Sequence, residues 1–116
     1  MRYFLNRLKM RVIWSWAGCV ATWKTEHSFR SWVWANLVSA GLAFILPLDP
    51  AERALILALG ILVLAAELLN TSIEDAIDYI STKEHPMAKR AKDAGSAAVA
   101  LTAVAAGIAW LVILIG

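Results

Sequence analysis

The sequence predicts an all-α membrane protein, with an N-terminal amphipathic helix in the membrane interface and three transmembrane helices. Hydrophobic residues make up 60% of the 116 residues, which is above their usual share in soluble domains. Two long segments, 54–66 and 94–116, carry no charged residue. The second has 23 residues, which is long enough to cross a bilayer. Cys19 is the only cysteine, so no intrachain disulfide is expected.

Residues 1–25 predict an amphipathic helix on the membrane surface. Apolar residues recur there at spacings of three or four and therefore share one helical face: Leu5, Leu8, Val12, Trp16, Cys19 and Trp23. Basic residues lie away from this face: Arg2, Arg7, Lys9 and Arg11. This arrangement is typical of a helix lying in the interface, and a helix of a soluble bundle is the alternative. No cleavable signal peptide is expected, because no adequate apolar region follows these charges.

Three apolar segments follow within one predicted domain, residues 1–116. The first, 31–47, is near the lower limit of ~17 residues for a span. The second is expected to cross the membrane at 53–72 and to continue as a helix to about residue 80, and the third spans 94–116. Pro47 and Pro50 mark the first break, and Pro86 is expected to begin the helix after the second.

Lysine and arginine predict the orientation. Six of them precede the first span and four lie between the second and third spans, whereas only Arg53 flanks the first loop. Because cytoplasmic loops are enriched in these residues, the N-terminus is expected in the cytoplasm and the C-terminus outside. Small residues crowd the third span, which favours close helix packing and a homo-oligomer.

A polar stripe interrupts the apolar second segment. At ~100° per residue, Glu67, Asn70 and Glu74 fall within ~60° of one another on a helix, and Asp78 continues the row. An ionisable group at this depth costs ~2.5 kcal/mol or more and marks a functional site by default. From the residues alone, a metal or phosphate site, an ion pathway and a polar contact between helices all remain open.

The cytoplasmic end of the predicted spans holds groups suited to phosphoryl transfer. This reaction needs a divalent ion, cations for the phosphate oxygens and a base. Carboxylates suit Mg²⁺, and Glu67 is the best candidate for the base. Lys92 and Asp93 open the third helix, one turn before Ser96. No GxxxxGK[ST] phosphate-binding loop and no HExxH zinc motif are present, so any nucleotide site differs from those of the standard soluble folds.

These residues resemble the bacterial integral-membrane diacylglycerol kinase family over nearly the whole chain. The resemblance is carried by Trp16 and Trp23, by EHSFR at 26–30, by ELLNTSIE at 67–74 and by RAKDAGSAAV at 90–99. It implies a homotrimer in the bacterial inner membrane, with active sites composed between subunits. The implied reaction transfers the γ-phosphate of ATP, with Mg²⁺, to 1,2-diacylglycerol, giving phosphatidate.

The resemblance also implies roles for individual residues. Glu67 matches the catalytic base and Asn70 a residue that supports catalysis, while Glu26 and Glu74 match metal ligands that also meet the nucleotide. Further nucleotide contacts are implied for Arg7, His85, Lys92 and Asp93. Besides Glu67, positions near the lipid are matched by Ser15, Trp16, Trp23, Phe29, Arg30, Ser96 and Trp110. Three residues depart from the family pattern: Trp14, Trp32 and Lys83.

Three rival interpretations stand beside this one. An undecaprenol kinase would share the fold and chemistry but would use a polyprenol acceptor. A non-catalytic membrane oligomer would use its carboxylate stripe as an ion or proton pathway. A soluble helical bundle is the third rival, and the 23-residue uncharged segment argues against it.

Overall fold

The computed structural model describes residues 1–116 and contains helices but no strands. The four helices are α1 Arg2–Thr25, α2 His27–Ile45, α3 Pro50–Ile80 and α4 Pro86–Ile115. The molecule measures 49 × 45 × 23 Å along its principal axes. The all-α prediction is confirmed, and so are the two breaks, since α4 begins at Pro86.

Local signals explain where α3 and α4 begin. The Asp49 side chain accepts a hydrogen bond from the Glu52 amide, and the Glu52 side chain accepts one from the Asp49 amide. This reciprocal capping box satisfies two amides that a helix start would otherwise leave unpaired. At α4, the His85 side chain accepts from the Met87 amide at 3.1 Å, and Pro86 occupies the first turn, where its missing amide costs nothing.

The central element is α3, which packs against α4 on one side and α2 on the other. Its buried residues form one stripe along the helix: Ile56, Gly60, Val63, Ala66, Glu67 and Thr71. By contrast, α1 makes few contacts with the rest of the chain, and its only buried residue is Thr22. The core therefore lies along α3, and α1 leans against one end of it.

Polar side chains join the three packed helices in their apolar middle. The Trp110 indole on α4 donates to Ser39 Oγ on α2 at 2.8 Å. Asn36 faces Gly60 so closely that a Cβ at position 60 would lie 3.2 Å from the Asn36 Cγ. The residues surround a void of about 140 Å³ that Trp32 also lines. Glycine at position 60 thus lets α2 carry an asparagine against α3.

Two helices, α3 and α4, are long and apolar enough to cross a membrane. The 19-residue α2 is not among them, and it carries Arg30, Asn36 and two tryptophans. Only 12 of the 116 residues are buried, and many large apolar side chains on α4 are exposed, including Leu101, Ile108 and Leu111. Exposed apolar helices of this length suit a lipid environment. The third span stays a prediction.

Candidate active site

Glu67 lies in the buried stripe of α3 and is only 4% exposed. Its Oε1 accepts a hydrogen bond of 2.5 Å from Ser28 Oγ, at the N-terminal end of α2. Its Oε2 has no hydrogen-bond partner in the chain. The only side-chain polar atom that is both fully buried and without a partner is Asn70 Oδ1, so Glu67 Oε2 is partly accessible. Glu67 therefore has one oxygen held by the fold and one open to a ligand.

Asn70 follows Glu67 by one turn and faces both Glu74 and α4. Its Nδ2 donates to Glu74 Oε1 at 3.2 Å, whereas its Oδ1 is buried without a partner. Gly95 makes room for this oxygen, since a Cβ at position 95 would lie 2.5 Å from it. Buried polar atoms are almost always paired in folded proteins. The unpaired Oδ1 of a residue whose Nδ2 bonds Glu74 therefore indicates a site where a ligand can supply a hydrogen-bond donor.

Two ion pairs surround the open end of α3 and α4. Lys92 Nζ contacts Asp78 Oδ1 at 2.7 Å, and Lys89 Nζ contacts Asp93 Oδ2 at 2.6 Å. The hydrogen bond to Asp78 is the main cause that raises the pKa of Lys92, and the charges of Asp78 and Glu74 act in the same direction. The hydrogen bond to Asp93 likewise raises the pKa of Lys89. Both lysines therefore carry their positive charge at neutral pH.

An open cleft of about 640 Å³ lies where α3 passes to α4. Five polar residues that line it are relevant to the predicted nucleotide site: Asp78, Lys83, His85, Lys92 and Asp93. The cleft thus collects three of the sequence-predicted nucleotide residues in one place. Lys83, one of the departures from the family pattern, adds a cation to its wall.

Glu26 connects α1 to α2 and is half-buried. Ser28, two residues further on, touches Glu67, so Glu26 lies at the same end of the molecule as the polar stripe. The chain holds no cluster of three or more His, Cys, Asp or Glu side chains arranged for a metal. Mg²⁺ usually takes only one or two carboxylates, with phosphate oxygens and water as its other ligands. The carboxylate groups of Glu26 and Glu74 are therefore of the ligand type that Mg²⁺ accepts when it is bound together with a nucleotide.

The remaining predicted residues are spread over the chain. Arg7 is exposed and bonds Tyr3 Oη at 3.0 Å, and it lines a shallow surface groove with Trp14. Ser15 and Trp16 are exposed on α1, and Ser96 is exposed on α4. Within one chain, no hydrogen bond or ion pair links any of these residues to Glu67, Asn70 or Glu74.

The aromatic positions near the predicted lipid are partly packed. Trp23 lies against Trp34 with ring centroids 6.5 Å apart, and Arg30 Nη1 donates to the Trp23 carbonyl at 2.5 Å. Phe29 is buried at the start of α2. Trp110 bonds Ser39 in the middle of the helices, some 15 residues beyond Gly95. It therefore lies ~22 Å along α4 from the Asn70 contact.

Ser28 is the site contact that the sequence reasoning missed. A signal for it exists, because α2 and α3 are antiparallel and joined by residues 46–49. Counting nineteen or twenty residues outward from the middle of that connection brings Ser28 level with Glu67. Shorter counts from about the same point pair Asn36 with Gly60 and Ala43 with Arg53, and both contacts are observed.

The family profile described as prokaryotic diacylglycerol kinase matches residues 13–114. The chain belongs to the prokaryotic diacylglycerol kinase family. It is 42% identical over 114 residues to a diacylglycerol kinase of Pseudomonas aeruginosa, covering 97% of this chain and 91% of the relative. The Escherichia coli K12 diacylglycerol kinase is 38% identical over 100 residues, with coverage of 86% and 82%. A Helicobacter pylori diacylglycerol kinase is 39% identical over 93 residues, with coverage of 80% and 73%.

Family membership confirms the resemblance carried by the ELLNTSIE and RAKDAGSAAV segments. The matched region includes the ends of α2, α3 and α4 that build the polar site, and it also includes most of α1. The expectation of an enzyme of the lipid kinase class is confirmed at the level of the family. The roles of individual residues stay predictions.

Proposed function

We propose that this protein transfers the γ-phosphate of ATP to 1,2-diacylglycerol, giving phosphatidate, at the cytoplasmic face of the bacterial inner membrane. The observation that carries the proposal is the buried Glu67 with one free oxygen, in the C-terminal half of α3, whose last turn lines the charged cleft. The diacylglycerol kinase names of the relatives support this acceptor over a polyprenol.

Glu67 acts as the general base. Its Oε2 is the free oxygen, so it accepts the proton of the lipid hydroxyl as that hydroxyl attacks the γ-phosphorus. The position of Glu67 also suits this role. It directly follows the uncharged segment 54–66, and this places it where a membrane-embedded lipid presents its headgroup. Asn70, one turn further along, donates to Glu74 and offers its unpartnered Oδ1 to the reacting groups.

Glu26 and Glu74 are the residues that would hold the Mg²⁺ accompanying ATP. Its positive charge would offset the charge on the transferred phosphoryl group. Glu74 Oε1 accepts only the Asn70 amide hydrogen within the chain, so this carboxylate keeps the capacity to bind a cation. Asn70 then holds the orientation of Glu74, as partners of metal ligands commonly do.

The cleft between α3 and α4 receives the nucleotide. Lys92 supplies a permanent positive charge to a phosphate oxygen, and its ion pair with Asp78 is exposed enough to rearrange, since the two side chains are 38% and 54% accessible. His85 and Asp93 line the same cleft. Arg7 lies apart on α1 in the single chain, and its proposed contact with the nucleotide depends on the assembly of composite sites in a trimer.

A homotrimer of three-span subunits accounts for the exposed apolar surface of the single chain. Only Gly95, Val99 and Ala109 of α4 are buried, although this helix is apolar along most of its length. In the proposed assembly α2, α3 and α4 cross the membrane, α1 lies in its interface, and the active sites are composed between subunits. The lipid residues Ser15, Trp16, Trp23, Phe29, Arg30, Ser96 and Trp110 then line the acceptor's path.

The orientation follows the positive charges. Ten of the eleven Lys and Arg residues either precede the predicted span 31–47 or lie between the predicted spans 53–72 and 94–116, and this predicts that both regions face the cytoplasm, where ATP is available. The C-terminus then faces the periplasm. Accessibility of single cysteines introduced near residues 48 and 84 to a membrane-impermeant reagent, in a Cys19→Ser background, tests this topology.

The reaction is tested with purified protein in mixed micelles, using labelled ATP and equal amounts of diacylglycerol or undecaprenol. Labelled phosphatidate that requires Mg²⁺ is the expected product. Faster labelling of undecaprenol would reassign the acceptor, and no labelled lipid with either acceptor would reject the kinase reaction.

The metal role is tested with Glu74→Gln. We expect lower phosphatidate formation that higher Mg²⁺ partly restores, because the variant keeps the amide contact but loses a carboxylate ligand. Asp75→Asn, an exposed neighbour on α3, is the matched control and should titrate with Mg²⁺ like the wild type. A loss in Glu74→Gln that Mg²⁺ does not change would remove Glu74 from the metal site.

A further inference from the structure

Ser28 stands at the first turn of α2, opposite the buried stripe of α3. Its hydroxyl donates to Glu67 Oε1 across 2.5 Å, and this is the only hydrogen bond that the Glu67 side chain accepts within the chain. Ser28 is an exposed residue although it faces α3, while Glu67 is 4% exposed. The serine therefore contributes little to the packed core, and its one described hydrogen bond is to this carboxylate.

The contact makes the two oxygens of the Glu67 carboxylate different. Oε1 is occupied by the hydroxyl, so the carboxylate plane is tied to α2 as well as to its own helix. Oε2 stays without a partner. A glutamate has three rotatable side-chain bonds, and a base must stay within hydrogen-bond reach of the proton that it removes. One fixed oxygen reduces the orientations open to the other.

We infer that Ser28 is a positioning residue for the phosphoryl-transfer reaction: it holds Glu67 Oε1 so that Oε2 faces the hydroxyl of the lipid acceptor. This inference rests on the proposed role of Glu67 as the base. Ser28 itself touches neither ATP nor the lipid, and no proton leaves it during the reaction. The proton of the lipid hydroxyl passes to Oε2, and the new O–P bond forms as the bond to the β-phosphate oxygen breaks.

Ser28→Ala removes the hydroxyl with little change of volume. We expect kcat to fall about tenfold, as for the loss of one hydrogen bond to a charged group. The KM values for ATP and for diacylglycerol should stay within about twofold, because the contact orients a reacting group and binds neither substrate. Ser28→Thr keeps the hydroxyl and should recover most of the lost kcat.

Ser31→Ala is the matched control. Ser31 lies about one turn further along α2, is exposed, and is within 3.3 Å of His27 Nδ1 rather than Glu67. We expect wild-type kcat and KM for this variant. A kcat of Ser28→Ala equal to the wild type, an equal loss in Ser31→Ala, or a Ser28→Thr variant as slow as Ser28→Ala would overturn the inference.

Glu67→Gln, alone and combined with Ser28→Ala, separates this inference from the proposed function. If Glu67 is the base, Glu67→Gln lowers kcat by about 10² to 10⁴-fold and Ser28→Ala adds no further loss to this residual rate, because there is no longer a base to position. A fully active Glu67→Gln would overturn both proposals. A Glu67→Gln variant with this loss, beside a Ser28→Ala variant with wild-type kcat, would overturn the positioning role alone.

Discussion

The two ends of α3 carry similar polar residues but use them differently. At the N-terminal end, Asp49 and Glu52 bond each other's amides. Arg53 donates to the Ala43 carbonyl at 2.8 Å and the Leu48 carbonyl at 3.2 Å, and it also lies 5.5 Å from the Phe44 ring centroid. At the C-terminal half, Glu67 keeps one free oxygen and Asn70 Oδ1 has no partner.

The number of charged residues therefore does not distinguish the structural part of α3 from the part proposed to be catalytic. At the first end, each polar side chain satisfies a backbone group and fixes the α2–α3 connection. At the second end, polar atoms are left without partners in a buried setting, which costs free energy unless a ligand completes them. Sites that break the general rule of satisfied polar groups are expected to be functional.

The largest expected effect is that of Glu67→Gln. The amide keeps the shape of the side chain but cannot accept the proton of the lipid hydroxyl, so phosphatidate formation should fall by about 10² to 10⁴-fold. Thermal unfolding in detergent should change little. A variant with near-normal kcat would remove Glu67 from the role of base and would erase the contrast between the two ends.

Gly95→Ala should have the next largest effect, and Gly60→Ala sharpens its meaning. An added Cβ at position 95 would meet the Asn70 amide oxygen at 2.5 Å, whereas one at position 60 would crowd Asn36. Both substitutions should lower stability by about 1–3 kcal/mol. Only Gly95→Ala should also reduce kcat of the folded protein, because it displaces a group of the polar site. Gly41→Ala, with no atom within 4 Å, is the control. Equal losses of kcat in Gly60→Ala and Gly95→Ala would contradict the assignment of position 95, and not position 60, to the polar site.

Arg53→Met should act on stability alone. It keeps an unbranched apolar stem but removes the bonds to the Ala43 and Leu48 carbonyls, so the free energy of unfolding should fall by about 1–3 kcal/mol. The kcat of the remaining folded enzyme should match the wild type. A specific loss of kcat, measured per folded protein, would show that the closed end of α3 takes part in the reaction.

The smallest expected effect is that of Asp78→Asn on the pH dependence of stability. Asp78 raises the pKa of Lys92 above 10.5, so the pair stabilises the folded state below that value and ceases to do so as pH rises through the raised pKa. Wild type and variant should therefore differ slightly in thermal unfolding at about pH 8 and converge at about pH 12. A difference that persists at the higher pH would show that Asp78 stabilises through another contact.

Much of the fold follows from local signals in the sequence. Pro47 and Pro50 predict the break before α3, and Pro86 predicts where α4 begins. Uncharged segments predict the apolar helices, and the spacing of Glu67, Asn70 and Glu74 predicts their shared face. Each of these features depends on neighbours within a few turns of one helix. These features could therefore be predicted from the sequence without knowing how the helices pack.

The contacts between helices were not predicted. Ser28 meets Glu67, Asn36 meets Gly60, and Trp110 meets Ser39. Such pairs depend on the register of one helix against another, and this register is set by the length of the α2–α3 connection and by small residues at the close approaches. The unpartnered Asn70 oxygen also could not be predicted from the sequence, because it depends on the space beside Gly95 on α4.

The claim that one end of α3 is catalytic and the other structural is tested most directly by comparing Glu67→Gln with Glu52→Gln. Both exchange a glutamate of the same helix for its amide. The measurement is the initial rate of Mg²⁺-dependent phosphatidate formation per folded protein in mixed micelles. We expect the rate of Glu67→Gln to be about 10² to 10⁴-fold below the wild type and the rate of Glu52→Gln to equal the wild type. Substantial product from Glu67→Gln, or comparable losses in both variants, would contradict the claim.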